Sequence, residues 1–153
     1  MTATLETLQQ ALDPLARALE GLSLDDPAAA RAEIERRLPF DGPLVAAVRE
    51  AALAGADAGW LLPRQNGPIR FGRPAKSLHG FTVDAVLMST PGPQHRHPNG
   101  EIDLCFTTRG EARFDGHPQG WVVFGPMSVH IPTVSDGEML ILYFLPGGAI
   151  EFM

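Results

Sequence analysis

The stretch PGPQHRHPNGEIDLCF, residues 91–106, decides how the chain is read. His95 and His97 stand at i and i+2, and Glu101 follows four residues after the second histidine. On a strand, residues two apart point to the same face, so both imidazoles can reach one ion. Pro98-Asn99-Gly100 is a turn signal. After it, Glu101 can open the next strand and bring a carboxylate back to the same place. A third imidazole stands in GWVVFGPMSVHIPTV, where His130 follows a turn at Gly125-Pro126. Three histidines and a glutamate make a mixed nitrogen and oxygen set that suits a divalent transition metal, whether Fe, Mn, Zn, Co, Ni or Cu. Such a set usually leaves coordination positions open, which catalysis requires. A lone histidine in a β protein is ordinarily a satisfied core or surface residue, and His79 and His117 are read that way by default. The combined spacing lifts the other four residues above that reading.

Outward from this stretch, the chain changes character near residue 60. Ala, Leu, Glu and Arg dominate before it; Gly, Pro, Val, Phe and Thr dominate after it. Residues 1–59 read as a helical segment and residues 60–153 as a β-barrel. Leu5, Leu8, Leu12, Leu15, Leu19 and Leu22 alternate spacings of three and four, which is one stripe of a helix. Pro14 falls inside the stripe and predicts a kink or break. The stripe is too short for a coiled coil and reads as a face packed on the barrel or on a second subunit. The stripe offers a surface for an expected homodimer. Ser23-Leu24-Asp25-Asp26-Pro27 starts a second helix that runs to about Leu38, and Asp41-Gly42-Pro43 opens a third that ends near 55–59. Beyond Trp60, strands are expected at 69–73, 80–88, 101–107, 111–115, 120–124, 128–132 and 138–144, with Gly-Pro, Asp-Gly and Pro-Gly-Gly clusters between them. Many short strands at close spacing indicate a sandwich or barrel.

Composition narrows the function classes. A chain of 153 residues with 44% hydrophobic content can bury one core. A formal charge of −6 leaves no basic surplus for phosphates, so nucleic acid is not an expected partner. No apolar run approaches a membrane span, and the N-terminal stretch lacks the pattern of a secretory signal. The single cysteine, Cys105, rules out an internal disulfide framework and fits a reducing cytoplasm. No Gly-rich phosphate loop of the kind nucleotide cofactors favour is present.

His95-x-His97-x3-Glu101 is similar to the first cupin motif, and Gly120-x5-Pro126 followed by His130 is similar to the second. The usual glycine after the glutamate comes late, at Gly110, and Pro126 stands one residue nearer His130 than is usual. The resemblance implies a mainly β fold, a cupin-type double-stranded β-barrel preceded by an N-terminal helical segment, with a metal held inside on His95, His97, Glu101 and His130. HRHPNGEIDLCF, RFDGHPQGWVVFGP and LYFLPGGAIEF, with IRFGRPAK at 69–76, resemble more narrowly the 4-hydroxylaminobenzoate lyases. That resemblance implies a lyase of nitroaromatic degradation that turns 4-hydroxylaminobenzoate and water into 3,4-dihydroxybenzoate and ammonia.

Such a reaction assigns further roles. Glu101 and Asp103 lie two apart and can share the inner face with Cys105 and Thr107. Asp103 reads equally as a general base or proton carrier and as a carboxylate steadying a ligating histidine. Cys105 reads as a small buried residue. A small aromatic acid needs a cation, and Arg70, Arg73 and Lys76 form the basic cluster near the expected entry, Arg70 being the first choice and Arg73 the second. Each of the three reads equally as a solvated strand edge. His79, Trp121, Phe124 and Tyr143 can line an aromatic pocket, although core packing explains each aromatic taken alone. Two other functions compete: a cupin dioxygenase or isomerase on a small aromatic acid, and a non-enzymatic ligand-binding cupin.

Overall fold

The computed structural model describes residues 3–153. Three helices come first: α1 (Leu5–Leu19), α2 (Pro27–Arg37) and α3 (Pro43–Ala58). Their starts follow local chemistry. The Thr4 side chain accepts from the Thr7 N–H, and the Asp26 carboxylate accepts from the Ala29 N–H just before Pro27. Gly59 closes α3 in the left-handed region, at φ 90°. At Pro14, where a kink or a break is expected, α1 is not broken and continues to Leu19. The carbonyl that loses its donor belongs to Gln10, which is exposed, so water can serve it.

Nine strands follow: β1 (Arg64–Asn66), β2 (Ile69–Leu78), β3 (Phe81–Met88), β4 (His95–His97), β5 (Glu101–Phe114), β6 (Gly120–Phe124), β7 (Ser128–His130), β8 (Val134–Pro146) and β9 (Glu151–Phe152). They form a six-stranded antiparallel sheet, ordered β1-β2-β3-β8-β5-β6, and a three-stranded sheet, ordered β7-β4-β9. The segments expected at 101–107 and 111–115 are one long strand. Gly110, at φ 71°, lies between two irregularities of the β5–β8 register and bends the strand without ending it.

Both faces of the large sheet are covered. In β8 Leu140, Leu142 and Phe144 join the helical-side core, while Met139, Ile141, Tyr143 and Leu145 face the barrel interior. That explains the near-continuous apolar run MLILYFLP, which departs from the usual alternation. Leu8, Leu12, Leu15 and Leu19 are fully or almost fully buried in the same helical-side core, so these four leucines of the stripe pack within their own chain, while Leu5 is exposed. Trp121 belongs to that core too, and its indole N–H donates to the Leu38 carbonyl at 2.9 Å. Among the described residues no helix is long and apolar enough to cross a membrane.

Candidate metal centre

The four residues singled out by spacing converge. The antiparallel register of β4 and β7 sets His95 opposite His130 and His97 opposite Ser128. Residues 97–100 form a tight turn in which the Gly100 N–H donates to the His97 carbonyl at 3.1 Å, and β5 then opens on Glu101. One ligand atom from each of His95, His97, Glu101 and His130 lies within 4.8 Å of every other. The Nε2 atoms stand 3.6 Å (His95), 3.3 Å (His97) and 3.8 Å (His130) from Glu101 oxygens. Ligand bonds of about 2.0–2.2 Å put neighbouring donors roughly 3–3.5 Å apart, close to these values.

Hydrogen bonding fixes which nitrogen of each ring faces inward. His95 Nδ1 lies 3.2 Å from the Pro93 carbonyl, which can only accept, so that nitrogen carries the proton. The Ser128 hydroxyl spends its hydrogen on the Gly125 carbonyl at 2.6 Å, so it accepts from His97 Nδ1 at 2.8 Å. His130 Nδ1 donates to Asp115 Oδ2 at 2.5 Å. All three Nε2 atoms are therefore turned to the centre. They and both Glu101 oxygens are buried without a hydrogen-bond partner. Buried polar groups are rarely left so, and five unpaired donor-set atoms around one point fit a cation.

The supporting residues come from turns. Asp115 and Gly116 have φ of 48° and 85°, the requirement of a tight two-residue hairpin turn. The Asp115 carboxylate at its tip reaches His130 and also accepts the Thr133 N–H at 2.8 Å. The Phe124 ring packs on the His130 ring at a centroid distance of 4.1 Å, supporting it from the other side.

Charge is arranged unevenly. Burial would raise the Glu101 carboxyl, but the surrounding His130, His95 and His97 hold it well below the usual carboxylate range. Asp103, fully buried two residues on, moves the other way: burial first, and then the neighbouring Glu101 charge, push its carboxyl well above its ordinary value. Burial lowers His130, but its hydrogen bond to Asp115 and the nearby Glu101 charge outweigh this and hold it up at about 9. Burial, then the Asp103 charge, pushes the Cys105 thiol well up, which leaves it protonated and unreactive.

A cavity of ≈ 760 Å³ opens beside this centre, with His95 and Glu101 in its wall. Arg73, Lys76 and Tyr143 line it, and so does Arg64, which sequence reasoning missed although it adjoins the Asn66-Gly67 turn signal. Arg73 Nε donates to Asp84 Oδ1 at 2.6 Å, so part of its charge is already matched. The remaining candidates lie elsewhere. Arg70 sits between Ile69 and Phe71, which line the cavity, and pairs with Leu87, a residue of the helical-side core. Alternation therefore puts Arg70 on the opposite face of β2. His79 bonds Asp13 at 2.8 Å and borders a separate cavity of ≈ 370 Å³ with Leu19 and Phe81. Trp121 is buried behind the sheet, away from the cavity. Asp115, Ser128 and Phe152 were also missed. Ser128 carries only a weak signal, two residues before His130, and Asp115 was legible as part of an Asp-Gly turn but not as a histidine partner.

The curated 4-hydroxylaminobenzoate lyase of Nocardioides sp. (strain LMS-CY) is 33% identical over 92 residues, 54% of this chain and 54% of that protein, so the chain spans about half of that relative's length. The 4-hydroxylaminobenzoate lyase of Pseudomonas putida is 26% identical over 148 residues, 80% of this chain and 84% of that one. Among solved structures, an RmlC-like cupin protein from Ralstonia eutropha JMP134 matches with a TM-score of 0.44 at 14% identity, over 57% of this chain and 61% of that one. KdgF from Halomonas sp. matches with a TM-score of 0.41 at 16% identity, over 54% and 84%. The two-sheet antiparallel barrel with helices ahead of it is the cupin-type architecture the sequence implied. The family model described as 4-hydroxylaminobenzoate lyase matches residues 11–152, nearly the whole chain, and the protein belongs to that family.

Proposed function

We propose that the protein is a metal-dependent lyase that converts 4-hydroxylaminobenzoate and water into 3,4-dihydroxybenzoate and ammonia. The observation that carries this reading is the set of inward-facing, unpaired Nε2 and carboxylate atoms of His95, His97, Glu101 and His130, two of which, His95 and Glu101, stand in the wall of a cavity large enough for an aromatic acid. The two relatives named for this activity support the choice of substrate. The reaction is redox-neutral, so no electron carrier is required.

In this reading His95, His97, Glu101 and His130 hold a divalent transition metal. When bound, the ion supplies Lewis acidity to the hydroxylamine oxygen or to an attacking water. The remaining work falls to the chain. The reaction must release the N–O oxygen as water, place an oxygen on the ring carbon beside the nitrogen and hydrolyse the resulting imine. Burial beside Glu101 favours the protonated form of Asp103, which in this reading supplies the proton that a departing hydroxyl needs. Its carboxylate form can then take a proton back during imine hydrolysis. Arg73, Lys76 and Arg64 bind the substrate carboxylate at the cavity wall, and Tyr143 flanks the ring. Apolar walls at Val86, Met88 and Leu145 limit water around the substrate.

The first test is to incubate the protein with 4-hydroxylaminobenzoate under nitrogen and to measure ammonia. Stoichiometric ammonia with a catechol product supports the lyase. Oxygen consumption without ammonia would mark a dioxygenase, and no turnover a binding protein. Chelation should abolish activity and one re-added ion restore it; full activity of metal-free protein sinks the metal's role. Asp103→Asn should keep the metal content while lowering kcat by about 100-fold or more.

A further inference from the structure

Segment 147–153 joins the two sheets. Gly147 and Gly148 have φ of 65° and 70°, and they carry the chain from the end of β8 on the large sheet to β9 on the small one. β9 pairs with β4, setting Phe152 opposite His95 and Glu151 opposite Arg96. Glu151 points outward and meets Arg96 at 3.8 Å, and the Met153 N–H donates to the Gln94 carbonyl at 3.0 Å. Alternation then turns Ile150 and Phe152 inward, and both line the cavity. The Phe152 ring stands edge-on to the His95 ring, with centroids 5.9 Å apart at 66°. Yet Phe152 is 66% exposed and belongs to neither hydrophobic core.

An aromatic ring at a cavity mouth, against a candidate metal ligand and without a core role, presents an apolar face that nothing among the described residues covers. We propose that Phe152 is a specificity-determining residue: it forms the aromatic wall that recognises the substrate ring beside the metal centre. This rests on the aromatic-acid reading above. An offset or edge-to-face pair with Phe152 selects an aromatic ring over a saturated one of similar size and charge.

The test is calorimetric titration of the metal-loaded protein with benzoate and with cyclohexanecarboxylate, for wild type, Phe152→Ala and Phe152→Leu. Because Phe152 is exposed, the variants are expected to fold, and metal content and melting temperature are the controls. Wild type should prefer benzoate. Both variants should bind benzoate roughly tenfold more weakly, with cyclohexanecarboxylate affected by about twofold or less. If Phe152→Ala binds benzoate as wild type does, weakens both acids equally, or loses its metal, the recognition role is overturned. If wild type binds neither acid, the aromatic-acid reading falls and the role of Phe152 with it. Wild-type benzoate binding with an unchanged variant removes only the role of Phe152.

Discussion

At the scale of single residues, the site is a problem of proton placement. Each histidine presents Nε2 inward only because Nδ1 is spent on Pro93, Ser128 or Asp115. Asp115→Asn keeps the shape but removes the anionic partner of His130, so metal affinity should fall about 10–100-fold, measured by titration against a competing chelator. Unchanged affinity would mean that Asp115 only shapes its turn. A second expectation concerns pH. In metal-free protein His130 holds its proton up to about 9, and an entering ion must displace it. Between about pH 7 and 9 apparent affinity should rise roughly tenfold per pH unit, with one proton released per ion. An indicator dye in weakly buffered solution reads this directly. The sign for folding is opposite: the His130 contribution to metal-free stability is complete below pH 6.5 and is lost as pH rises through about 9. The convergence of the four candidate residues was legible in the sequence because His95, His97 and Glu101 are neighbours across one turn and β-strand alternation is local. Asp115 and Ser128 were not, because they lie 15 and 31 residues from the rings they bond, and tertiary register alone joins them.

At the scale of elements, the turn before Glu101 does the aiming. A Cβ on Gly100, at φ 85°, would stand 2.8 Å from Leu24 Cδ1 and 2.9 Å from the Phe124 carbonyl oxygen. Gly116 has the same φ and open space around it. Gly116→Ala should therefore cost only the left-handed backbone term, about 1–2 kcal/mol. Gly100→Ala should cost more, about 3 kcal/mol in all, and should also weaken metal binding by displacing Glu101. Thermal melts and metal titration of the pair separate backbone strain from contact; equal melting temperatures would show that the contact yields freely. Turn chemistry was the most legible layer of the sequence. Strand length was not. β5 reads as two segments because Thr107 to Glu111 is polar, but those residues lie on an exposed stretch that stays paired with β8 through its bend. β4 and β9 have three and two residues, too short for periodicity to register, whereas β7 falls within the strand expected at 128–132.

At the scale of the whole molecule, the large sheet has helices behind it and the candidate site in front. Leu12→Ala removes a fully buried side chain from the rear layer and should cost about 2–5 kcal/mol in denaturant unfolding, with metal stoichiometry unchanged in the protein that remains folded. A cost below about 1 kcal/mol would return the leucine stripe to the role of a surface. The sequence marked the stripe as amphipathic, yet it could not say which surface the stripe meets, because periodicity describes one partner only. The strand order has a kinetic consequence. β8 lies between β3 and β5, yet it follows both in the chain. While the chain is being synthesised, α1 to α3 and β3 have no finished sheet to rest on until residues 134–146 appear. Nucleation therefore waits for long-range closure, and folding should be slow for a chain of this size. During that wait the unpaired edges of β3 and β5 are open to strands from other chains, which makes aggregation in the nascent state the main hazard of this topology.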